Sequence, residues 1–145
     1  MSPEDLKNLA HAYGELAEDL VAWRATNPIA DEELGEKYDS QVADLVGKSD
    51  KLESLAVTSA LANLQTSVAD LRAATHKAKH ALEVIKDVTT ALAIGAAAVG
   101  AVASLLAPTV TAGAVADALD GLAQAIQKAT PTKPDGKGED GDDES

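Results

Sequence analysis

Apolar residues recur along this chain at alternating steps of three and four, the spacing that places them on one face of a helix. Leu6, Leu9, Tyr13, Leu16, Leu20 and Trp23 make such a seam and predict a helix over 3–26. Ser2 stands as its N-cap, Pro3 at the first helical position and Glu4-Asp5 in the first turn. Thr26-Asn27-Pro28 ends it, because proline holds the preceding residue away from helical torsions. Asp31-Glu32-Glu33 opens a second helix over 31–46, with Leu34, Tyr38, Val42 and Leu45 on one face. Gly47-Lys48-Ser49-Asp50 reads as a break or kink, and Asp50 with Glu53 as a capping box for a third helix; the alternative is a helix running straight through Gly47.

From Leu61 the pattern is more regular still. Leu61, Leu64, Val68, Leu71, Thr75, Ala78, Leu82, Ile85, Thr89 and Leu92 step 3-4-3-4 without a slip, and Ala96, Val99, Ala103 and Leu106 continue the register. One very long helix over 50–106 is expected, about 85 Å at 1.5 Å per residue. Too long for the shorter helices to cover, its seam is expected to meet another copy or a partner unless the helix bends back at Gly95 or Gly100. Pro108 is the first strong breaker and a hinge, after which Thr109 or Thr111 caps a helix over 110–128. The fold class is therefore all-α: an elongated, coiled-coil-like helical bundle or hairpin in a single domain, 1–129. Residues 130–145, TPTKPDGKGEDGDDES, are acidic, rich in Pro and Gly and without a large apolar side chain, and are expected to be a disordered tail.

Composition narrows the function. Net charge is −12, which disfavours nucleic acid, whose binding is driven by Lys and Arg on phosphates, and equally disfavours simple adhesion to anionic membranes. The absence of cysteine removes disulfides and thiolate chemistry, and the absence of phenylalanine leaves a core to Leu, Val, Ile and Ala in closely approaching helices. The acidic, amphipathic start does not read as a Sec signal peptide, so a cytoplasmic, membrane-associated or non-Sec exported location is expected. His76 and His80 lie four apart on a predicted helix, but Lys77 and Lys79 beside them disfavour a divalent metal. They are kept as a pH-sensing pair that would add positive charge ahead of the apolar stretch. No nucleophile with a plausible base and no phosphate loop is present, so neither enzyme activity nor a cofactor or metal is expected.

The stretch Val88–Ala116 holds 29 residues and no charged side chain. Its first 20 residues are enough to span a bilayer core. Leu92, Ile94, Val99, Val102, Leu105 and Leu106 would contact lipid or a partner, and Ala96, Gly100 and Ser104 form a small-residue ridge for helix crossing. Against insertion, eight of the 20 residues are alanine and no aromatic belt flanks either end.

Pro108 divides the stretch into two arms, a hydrophobic helical hairpin. Over about residues 60–127 this organisation resembles, in architecture, the helical pore-forming toxins and the hydrophobic hairpin of pore-forming colicins. The resemblance implies a hairpin sheltered in one state and inserted in another; no functional residue is carried over. The expected function is a non-enzymatic, oligomeric helical protein that associates with or inserts into membrane through 88–116. The alternative is a soluble structural or adaptor subunit whose apolar segment is an assembly interface with partner helices, in a homo-oligomer or hetero-complex.

Overall fold

The computed structural model describes residues 1–129, and these are all-helical: α1 Pro3–Thr26, α2 Glu32–Glu53, α3 Ser59–Ala62, α4 Gln65–Leu82, α5 Val88–Leu106 and α6 Ala112–Ala129. The acidic tail expected from the sequence lies outside the described residues. α1 starts as its caps predict, the Ser2 N–H donating to the Asp5 carboxylate at 3.0 Å, and Asp31 caps α2 by accepting from the Leu34 N–H at 3.1 Å.

Two expectations are corrected. α2 does not stop near Gly47 but runs on to Glu53. A helical glycine costs about 1 kcal/mol, and the extra turns bury Leu52 completely and Ser49 almost so. The single helix over 50–106 does not form either. Its span is divided by the links at 54–58 and 83–87, with a tightened turn at Asn63-Leu64. The physical reason is cover: a straight rod leaves its seam in water, whereas folding back lets the pieces bury one another. Leu61, Leu64, Val68, Leu71, Ala78, Leu82 and Ile85 are indeed buried, but within this chain. Contacts with a second copy are not needed to cover them.

The five long helices pack in cyclic order, α1 on α2, α2 on α5, α5 on α6, α6 on α4 and α4 on α1. α5 also touches α1 and α4, so it meets all four of the others. α1 and α4 run the same way, since Glu15 reaches Lys79 and Trp23 reaches Ile85. α1 and α2 are antiparallel, joined by Arg24–Asp39 at one end and by His11–Glu53, at 3.4 Å, at the other. Arg24 lies across Gly35: a Cβ there would stand 2.8 Å from Nη2, so a larger residue would make the guanidinium shift.

One interior group is poorly served. The Tyr13 hydroxyl is sealed beside Thr75, whose own hydroxyl donates to the Leu71 carbonyl at 2.7 Å, so the contact between the two hydroxyls falls short of a full hydrogen bond. Burial, opposed in part by Thr75, pushes the Tyr13 phenol from its ordinary 10.0 up to about 12. A group with a raised folded pKa lends stability that is intact below 10.0 and lost as pH climbs through about 12. Tyr13→Phe is therefore expected to unfold in urea at neutral pH with unchanged or up to about 1 kcal/mol greater stability, since an unmet buried hydroxyl is costly. It should also lose less stability than the native protein between pH 10 and 12, a span set by the same two values.

Candidate association surface on the α5–α6 hairpin

α5 is built from residues whose side chains carry no charge at all. Asp87 precedes it in extended conformation and receives the Thr90 hydroxyl at 3.0 Å, which fixes the first turn. α5 is 19 residues long with a mean hydropathy of 1.9, and 44% of its most apolar window is buried. It turns Ala91, Ile94, Gly95, Ala98, Ala101, Val102 and Leu105 inward. Leu92 is buried as well, but the rest of that set lies one residue before the seam read from the sequence, Thr89, Leu92, Ala96, Val99, Ala103 and Leu106, which was to meet another copy or a partner. α5 is a separate helix after the link at 83–87, so the helices it packs on, chiefly α2 and α6, set its inward face, and the register of α4 does not carry over.

The slip redistributes the residues that the sequence pattern singles out. Ile94 and Val102 are wholly buried, Leu105 is 1% and Leu92 8% exposed, and Val99 and Leu106 are half-buried at the edge of the core. Ala96 and Gly100 are exposed, and a Cβ on Gly100 would meet nothing within 4 Å. Ser104 is half-buried and its hydroxyl donates to the Ala101 carbonyl at 2.7 Å. The close helix approach falls instead at Gly95, where a Cβ would come 3.1 Å from the Gln41 Oε1 and 3.8 Å from Leu20. Gly95, with Ala91, Ala98 and Ala101, was missed; Asp87 followed three residues later by Thr90 was the one local sign of a fresh helix start.

Pro108 is exposed in the connection 107–111, where the Thr111 hydroxyl caps α6 by accepting from the Ala114 N–H at 3.1 Å. α6 folds back on α5 and buries Val115, Leu122, Ala125 and Ala129. The outward face of the hairpin arm α5 is thus Thr89, Ala96 and Gly100, flanked by half-buried Ala93, Ala97, Ala103 and Ser104. An outward helix face is ordinarily charged or strongly polar. This one is neutral from end to end.

His76 and His80 are exposed on α4, and His80 Nδ1 stands 3.7 Å from a Glu83 carboxylate oxygen. Among the described residues no three His, Cys, Asp or Glu side chains gather as a metal would require.

The polar ties between helices have a pattern of their own. Arg24–Asp39, His11–Glu53, Lys79–Glu15 at 2.6 Å and the Tyr38 hydroxyl on the Leu20 carbonyl all lie within α1, α2 and α4. Lys79 beside Glu15, through their hydrogen bond first and charge second, holds that carboxyl below its usual range. Burial pushes the Tyr38 phenol up. Among the described residues, no ion pair or side-chain hydrogen bond ties α5 to α1, α2, α4 or α6. Apolar contact alone holds it.

Comparison with protein-family models, curated proteins and solved structures finds no match to this chain.

Two substitutions on α5 should move in opposite directions. Leu105→Ala, in the core, is expected to lower unfolding free energy by about 2–5 kcal/mol. Gly100→Ala, outward and unobstructed, should raise it by about 0.5–1 kcal/mol through helix propensity. Urea midpoints measured side by side check both, and a Gly100→Ala loss would show that this face is covered.

Proposed function

We propose that this protein works by association rather than catalysis, and that its working part is the α5–α6 hairpin, sheltered in the closed bundle and delivered to a lipid bilayer when it swings out. The observation that carries this reading is the division of forces. The body of α1, α2 and α4 is cross-tied by ion pairs and hydrogen bonds, while α5, uncharged over 19 residues, is held to it by apolar contact only. Lipid offers the same apolar environment as the core, so moving Ile94, Val102 and Leu105 from one to the other costs little hydrophobic free energy. In the closed form those side chains are inside, so membrane association through them requires opening.

A second reading has its own support. The outward face of α5 is made of small neutral residues, which suit close packing against another helix better than they drive insertion, alanine burying little area. On that reading the bundle stays closed and the face is an assembly interface.

A covalent lock separates the two. Lys48 and Ala103 line one groove between α2 and α5, and the native chain has no cysteine to interfere. Lys48→Cys with Ala103→Cys, bridged by a short bismaleimide, pins α5 to the body. The membrane reading expects the unbridged variant to sediment with phosphatidylcholine vesicles and the bridged one to stay in the supernatant. Sedimentation of both, or of neither, overturns it. Self-association of the bridged form in analytical ultracentrifugation supports the assembly reading in its place.

A further inference from the structure

The link at 83–87 is where the hairpin joins the body, and it is fastened at one residue. Glu83, Val84, Lys86 and Asp87 are exposed, Val84 at 61%, whereas Ile85 is 4% exposed with its side chain in the core. The Ile85 carbonyl accepts a hydrogen bond from the Trp23 Nε1–H at 2.9 Å, across 62 residues of sequence. A carbonyl just past a helix end has no partner within the helix, so the indole supplies one. Among the described residues it is the one side-chain hydrogen bond from α1 or α2 to this link.

Trp23 is itself rigidly placed. Its ring stacks on Tyr38 of α2, centroids 5.7 Å apart and planes 25° from parallel. The Tyr38 hydroxyl is held by the Leu20 carbonyl one turn earlier, and the neighbouring Arg24 pairs with Asp39. Two helices therefore brace one indole, and that indole grips the link. The groove beside it is lined by Asp19, Thr26, Lys79, Glu83 and Lys86, a polar rim that admits water as soon as the bond opens.

We propose that Trp23 is the latch of the α5–α6 hairpin: its indole N–H on the Ile85 carbonyl holds the link at 83–87 against the body, and losing that bond frees α5 to swing as a unit. Its purpose rests on the release reading proposed for the hairpin, but the latch itself is testable without lipid. Opening exchanges the bond between the indole N–H and the Ile85 carbonyl for one to water entering the groove, and the net loss on that exchange opposes release. The apolar contacts of α5 carry no such directional preference.

Trp23→Phe keeps an aromatic ring for Tyr38 and deletes the donor. Hydrogen exchange followed by mass spectrometry, in buffer alone, is expected to show Val88–Leu106 exchanging up to about tenfold faster, with α1 and α2 unchanged. Tyr38→Phe, which removes a tie inside the body, should not single out α5. Equal acceleration in every helix, or none in α5, overturns the latch. Should Trp23→Phe fail to fold, the native protein carries its own reporter, since Trp23 is its sole tryptophan. In rising sub-denaturing urea the indole emission should then shift in step with exchange of α5, and α5 opening with emission unchanged overturns the latch. Vesicle sedimentation distinguishes the failures: selective loosening of α5 without vesicle binding leaves the latch standing and removes the membrane reading, whereas vesicle binding without selective loosening removes the latch alone.

Discussion

The need to cover an uncharged helix governs this bundle. Nineteen residues of α5 offer no charge to water, and only contact with other apolar surface makes the helix tolerable in solution. α5 accordingly meets all four of the other long helices, and the cyclic packing order places it between α2 and α6. The close approach at Gly95 against Leu20 and Gln41 is what lets two neighbours sit tightly on a helix made largely of alanine. With little area per side chain, proximity has to do what bulk does elsewhere.

The polar groups perform a different task. They are concentrated where α1 meets α2 and α4: Arg24–Asp39 and His11–Glu53 join α1 to the antiparallel α2, and Lys79–Glu15 joins α1 to the parallel α4. Each is exposed enough to contribute little to stability singly. Their value is in selecting one arrangement among several that would bury the same leucines. Trp23 extends that orientation to the junction with α5. Beyond it, shape and apolarity alone decide.

How much of this was legible in the sequence depends on how local the signal was. Ser2 with Asp5 and Asp31 with its following turn were correctly read as helix starts because a cap is written in a few neighbouring residues. The seam from Leu61 to Ile85 was correctly read as buried, because side-chain periodicity records burial without saying against what. The continuity of the helix was not legible. Periodicity persists across the link at 83–87 because Leu82 and Ile85 are core on one side and α5 resumes only one position out of phase on the other. The helix ends at Leu82, and the Ile85 carbonyl beyond it is taken by Trp23, 62 residues away, a partner that no local pattern can announce. Ala96 and Gly100, expected at a helix crossing, lie on the surface, and no crossing within this chain uses them.

The order of the elements has a consequence for synthesis. α1, α2 and α4 form the cross-tied body and precede the α5–α6 hairpin in the chain. At about 5–20 residues per second, the 47 residues from Glu83 to Ala129 follow the body by about 2–10 s. The apolar arm therefore emerges after every helix of the body that covers it, so the surface it needs is already in the chain when it appears.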